Sequence, residues 1–104
     1  MTDIQWIKEQ VKGGAYQLKL HAMERASLRG IDPLDIKEAL LNGKVIEGYP
    51  EDQRGKSCLV YGKTKGNKDL HLVCGLTSDI LWVITVYEPD PVEWIDPETR
   101  RRAQ

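Results

Sequence analysis

Asp32-Pro33-Leu34-Asp35-Ile36-Lys37-Glu38-Ala39-Leu40-Leu41-Asn42-Gly43-Lys44-Val45-Ile46-Glu47-Gly48 is the stretch in which this chain changes its hydrophobic period. Asp32 suits an N-cap and Pro33 a first helical position. Ile36, Ala39 and Leu40 then line one helical face, and Gly43 supplies the stop. Beyond Gly43 the pattern is that of strands: Lys44 to Gly48, Ser57 to Thr64, Leu70 to Leu76 and Ile80 to Tyr87. The connections Lys65 to Asp69 and Thr77 to Asp79 are short enough for hairpins, so an antiparallel meander is expected.

Upstream, Ile4, Ile7 and Val11 repeat at helical spacing over Thr2 to Lys12, with Thr2 and Gln5 placed for a capping box and Gly13-Gly14 as the end. Ala15 to Leu20 alternates, with Tyr16, Leu18 and Leu20 facing one way and Gln17 and Lys19 the other. That extended segment leads into a helix over His21 to Arg29, closed by Gly30. The expected fold is α+β, N-terminal helices packed on a curled antiparallel sheet of four to five strands. Ile80 to Val86 is apolar on both faces, which predicts a strand through the middle of the sheet with a cover on each side. Pro89 and Pro91 end it. Trp94 reads as an anchor for the tail, and Asp96-Pro97 as the opening of a last helical turn.

The 104 residues make one domain, large enough to bury roughly two-thirds of the unfolded surface. Its core is expected over about residues 15–95, with the tail from Asp96 onward looser. A formal net charge of −1 argues against a protein that coats nucleic acid non-specifically. Charge is nonetheless uneven: Lys63, Lys65 and Lys68 surround one turn, Arg54 and Lys56 share a loop, Arg100, Arg101 and Arg102 form a run, and Glu88, Asp90, Glu93, Asp96 and Glu98 make an acidic stretch. Solvated surface is the ordinary meaning of such runs. The longest apolar run is far short of the ~20 residues that span a bilayer, and no apolar signal core opens the chain, so a cytoplasmic protein with no membrane partner is expected. Cys58 and Cys74 sit inside strand patterns, which favours two reduced, buried thiols.

The chemistry-bearing residues begin with His21, Glu24, Arg25 and Leu28, which share one face of a helix, while Ala22, Met23 and Ala26 offer a small apolar face to the sheet. An imidazole beside a carboxylate and a guanidinium can serve as base or acid. His71 alternates to the face opposite Leu70, Leu72 and Cys74, and two histidines can divide the base and acid roles that RNA cleavage through its own 2′-hydroxyl requires. Thr85 and Tyr87 share parity with Leu81 and Val83, which would make one face of that strand polar at its end. Tyr61 and Lys63 alternate in the same way on the second strand. No third ligand joins His21 and Glu24 at a metal-binding spacing, and no phosphate loop, nucleophile elbow or nucleotide fingerprint is present, so neither metal nor cofactor is expected.

Taken together, His21-Ala22-Met23-Glu24-Arg25, Arg29-Gly30-Ile31, Asp35-Ile36, Ala39-Leu40, Gly43, Val45-Ile46-Glu47, Tyr49-Pro50, Ser57-Cys58-Leu59-Val60, Leu70-His71 and Ile84-Thr85-Val86-Tyr87-Glu88-Pro89-Asp90 resemble the bacterial domain-of-unknown-function family four-two-five-eight. The resemblance runs from about Tyr16 to Trp94. It implies a RelE/ParE-like or barnase-like toxin fold, and with it the toxin of a type II toxin-antitoxin pair. Such a toxin would be a metal-independent endoribonuclease with a cognate antitoxin encoded nearby. Under that resemblance His21 and His71 would be acid and base, Arg25 would hold the phosphate, Glu24 would steer His21 or Arg25, and Thr85 and Tyr87 would orient the RNA backbone, with Tyr61 and Lys63 as weaker contacts. The competing expectation is a non-catalytic module that binds a protein through the sheet edge or the Trp94 tail, with self-association through an exposed edge as a further possibility.

Overall fold

The computed structural model describes residues 2–101, so Arg102 of the basic run lies outside the described residues. Three helices precede the antiparallel meander. In α1 (Asp3–Lys12) Thr2 and Gln5 form the expected reciprocal capping box, and Ile7 and Val11 are buried. After β1 (Tyr16–Leu18) come α2 (Leu20–Leu28) and α3 (Pro33–Leu41), the last with Asp32 and Asp35 bonded to each other's amides and Pro33 in the first turn. The strands are β2 (Lys44–Tyr49), β3 (Ser57–Lys63), β4 (Asp69–Gly75) and β5 (Leu81–Tyr87), followed by a separate small hairpin of β6 (Trp94–Asp96) and β7 (Thr99–Arg100).

The main sheet is open, in the order β1-β5-β4-β3-β2. Strands β2 to β5 form the antiparallel meander, but β1 lies parallel to β5, with Tyr16 opposite Leu81 and Leu18 opposite Val83. The expected all-antiparallel sheet is therefore a mixed one. Alternation along β1 marks it as a strand but carries nothing about a partner more than sixty positions away. For the same reason β5 lies between β1 and β4, next to an edge strand rather than at the centre.

Helices cover one face. Ile7, Val11, Ala26, Ile31, Ile36, Ala39 and Leu40 pack against Cys58, Val60, Leu70, Leu72, Cys74, Leu81, Val83 and Val86. At the α3–β3 crossing a Cβ on Gly62 would stand 1.9 Å from the carbonyl oxygen of Ala39, so only glycine lets the helix lie that close. The two cysteines are free and buried in this core.

Three local expectations change. Leu20 begins α2 and is 70% exposed instead of continuing the β1 alternation, and Met23 is 54% exposed, leaving Ala22 and Ala26 as the buried stripe of α2. A β-bulge between β4 and β5 sets Thr85 against Val73 but Val83 against Cys74. It reverses parity, so Thr85 and Tyr87 face away from the helices while Leu81 and Val83 face them. Asp96-Pro97 turns the β6–β7 hairpin and opens no helical turn.

Candidate functional site

The face of the sheet without helices carries an aromatic row. Tyr61, His71 and Tyr87 stand opposite one another on β3, β4 and β5. The β6–β7 hairpin closes over them: Trp94 meets the His71 ring edge-on at 4.4 Å, and Tyr87 does so at 5.4 Å. Nε2 of His71 lies 2.6 Å from the carbonyl oxygen of Pro97. A carbonyl only accepts, so Nε2 carries the proton and Nδ1 presents a lone pair. That Nδ1 and the indole Nε1 of Trp94 are both buried with no hydrogen-bond partner among the described residues.

Charge surrounds this row. Arg100 makes two hydrogen bonds to Glu47, at 3.0 and 3.1 Å, and its guanidinium lies 4.5 Å from the centre of the Trp94 ring. Tyr49 donates to Glu47 at 2.6 Å. The Arg100 bonds hold the Glu47 carboxyl below its usual range. Lys63 and the Tyr61 hydroxyl both bond to Asp69. Burial pushes Tyr61 up to about 12, with the Asp69 bond adding to it, and burial also raises Tyr87. For His71 burial works the other way, lowering the imidazole below its ordinary value against the raising effect of the Pro97 carbonyl.

The second group of residues lies along the β5 edge, where β1 stops and α2 takes its place. Lys19 donates its amide to Val83, and Arg29, just past α2, donates to the Val86 carbonyl at 2.7 Å. The buried Ala22–Ala26 stripe faces the sheet, and the wheel puts Met23 and Ser27 on the helix-layer flank and His21 and Arg25 on the other. Lys19 marks that other flank, because its ammonium sits 4.0 Å over the ring of Trp82, on the helix-free face. The start of α2 has no side-chain cap. Its first-turn amides are thus open to an acceptor, with the exposed His21 and Arg25 beside them.

Of the residues singled out from the sequence, His71, Tyr61 and Tyr87 come together, with Thr85 on the same face and Lys63 joined through Asp69. His21, Glu24 and Arg25 stand apart on exposed α2. His21 is not among the ring contacts of His71, so the two imidazoles do not form a facing pair. Glu24 makes no ion pair or hydrogen bond with His21 or Arg25 among the described residues, and the expected steering contact is missing. Sequence reasoning did not single out Glu47, Tyr49, Arg100 or Arg29 as site residues. Only the β2 alternation of Glu47 and Tyr49 hinted at a shared face, and nothing local tied Arg100 to them. Among the described residues no three His, Cys, Asp or Glu side chains are placed to hold a metal ion.

A family model described as Domain of unknown function (DUF4258) matches residues 18–88. The chain belongs to the DUF4258 family. No curated protein and no solved structure matches it. The DUF4258 span runs from the end of β1 to the residue after β5, and so contains His21, Arg25, His71 and Tyr87 but neither α1 nor the hairpin that covers His71. No helix among the described residues is long and apolar enough to cross a membrane.

Proposed function

We propose that this DUF4258 chain is the toxin of a type II toxin-antitoxin pair and a metal-independent endoribonuclease that takes RNA at the start of α2. The observation that carries this reading is the α2 terminus without a side-chain cap, with His21 and Arg25 both exposed and one turn apart on that helix. Free amides at a helix N-terminus attract an anion, and a guanidinium one turn along adds a charge-assisted clamp for phosphate. Imidazole is the side chain suited to proton exchange near neutrality. The toxin-like fold that the resemblance to this family implies is in keeping with the same reading.

In this mechanism His21 takes the proton of the 2′-hydroxyl, and the 2′-oxygen attacks the adjacent phosphorus. Arg25 and the α2 amides hold the charge that builds on the phosphate oxygens. The bond to the 5′-oxygen breaks, and the imidazolium returns its proton to the leaving oxygen. His71 exchanges no proton with the RNA here, since its Nε2 is held by Pro97 and its ring is enclosed.

The test is cleavage of a labelled RNA by the full chain in excess chelator. Native protein should yield 2′,3′-cyclic phosphate ends, and His21→Ala and Arg25→Ala should each cut ~100-fold more slowly. Equal cleavage by His21→Ala, or cleavage of a substrate lacking the 2′-hydroxyl, would refute the mechanism. A native protein that cuts no RNA would leave the protein-binding alternative.

A further inference from the structure

Beside the nuclease reading and independent of it stands the outer edge of β1. Leu81 donates its amide to Ala15 and Lys19 donates to Val83, each at 3.0 Å, so the odd-numbered residues turn their peptide groups toward β5. Tyr16 and Leu18 therefore turn theirs outward, where the sheet has no further strand. Along that edge runs a slot of about 810 Å³ between β1, α2 and the start of α3. Its lining includes the core residues Ile31 and Ile36 and, from α2, Met23 and Ser27, and Asp32 is the one charged side chain among its lining residues. Apolar surface continues over α2 at Leu20, Met23 and Leu28, which are 70%, 54% and 84% exposed.

We infer that this slot is the docking site for an extended segment of a partner protein, one that adds as a strand to β1, is apolar at alternate positions and is basic where it passes Asp32. Two outward peptide groups in strand register are satisfied in sequence only by another extended backbone, whereas a compact ligand of the same volume would leave them unpaired. The alternate side chains of such a segment fall into the slot, where Ile31 and Ile36 offer apolar contact. Asp32 with no lining lysine or arginine sets the sign of the charge that complements it. The β1 of a second copy fits poorly, because it arrives already walled by its own α2 and α3.

The probe is a short fluorescent peptide alternating valine and threonine with lysine at both ends, followed by anisotropy with the full chain. Saturable binding below about 1 mM is expected, and methylation of alternate peptide nitrogens should weaken it at least tenfold. Ser27→Trp, a change at an exposed position that fills the slot, should also cost at least about tenfold, and Asp32→Asn, which keeps a capping side chain, should weaken binding several-fold at low salt. Amide exchange at Tyr16 and Leu18 should slow on binding. No binding, equal binding of the methylated peptide, indifference to Ser27→Trp, or a dimer in gel filtration that the peptide cannot displace would each overturn the inference. His21→Ala should bind the peptide as the native chain does, so that the loss of one reading is distinguishable from the loss of the other.

Discussion

A histidine enclosed by aromatic rings keeps its neutral form, and His71 is enclosed by Tyr61, Tyr87 and Trp94. Its folded value lies below the ordinary 6.5, with burial as the main cause, while Glu47 and Asp69 pull it up and Arg100 pushes it down. Above the ordinary value both folded and unfolded states are neutral and stability is complete. As the pH falls below it, the unfolded chain takes up a proton that the folded chain refuses, so stability declines. The urea midpoint should drop between about pH 7.5 and about pH 5.5, and His71→Gln, which retains a donor for Pro97, should flatten that drop. A native midpoint constant over this range would contradict the burial argument. Gly62 makes a second case. The backbone of Ala39 blocks any Cβ there, so Gly62→Ala should cost at or above the top of the ~1–3 kcal/mol range for overpacking. Gly48→Ala, with nothing within 4 Å, should stay within about 0.5 kcal/mol in the same urea titration. Neither environment was legible in the sequence: alternation put His71 on a face, but what packs against His71 and against Gly62 lies elsewhere in the chain.

Elements differ in how much of their stability is local. The starts of α1 and α3 were readable because Thr2 with Gln5 and Asp32 with Asp35 satisfy amides within a single turn. The start of α2 has no such device, and Lys19 instead lies on Trp82. Lys19→Asp should change stability little, a cap worth about 1 kcal/mol offsetting the lost contact of about 0.5–1 kcal/mol. RNA cleavage should nevertheless fall at least tenfold, because a carboxylate would occupy the place of the phosphate. Cleavage unaltered in that variant would remove the phosphate from the helix start. The β6–β7 hairpin is held from outside, by Trp94 on His71, Arg100 on Glu47 and Glu98 on Lys44. Trp94→Ala should therefore speed amide exchange in the hairpin and expose His71 to acylation while β3–β5 amides stay protected. Simultaneous loss of protection in both would show the hairpin to be part of the cooperative core.

At the scale of the whole molecule the two thiols report on the fold. Cys58 and Cys74 face each other across β3 and β4 in the helix-side core, and burial pushes Cys58 up to about 12 and Cys74 well above its ordinary range. Alkylation by iodoacetamide should be slow in native buffer and should reach both residues together as urea unfolds the chain, as mass spectrometry would read it. Rapid labelling of one thiol in the folded protein would reveal a local opening of the sheet. What the sequence by itself determined was the order of elements from α1 to β5, the N-caps of α1 and α3 and the meander, because all of these come from interactions within a turn or between adjacent strands. What only the tertiary structure decided was the parallel seat of β1 on β5, the bulge that turns Thr85 and Tyr87 away from the helices, and the hairpin that encloses His71. Each of these depends on contacts between segments distant along the chain, where the choice of partner is settled by packing and by unpaired backbone groups, and a local period is the same whichever partner wins.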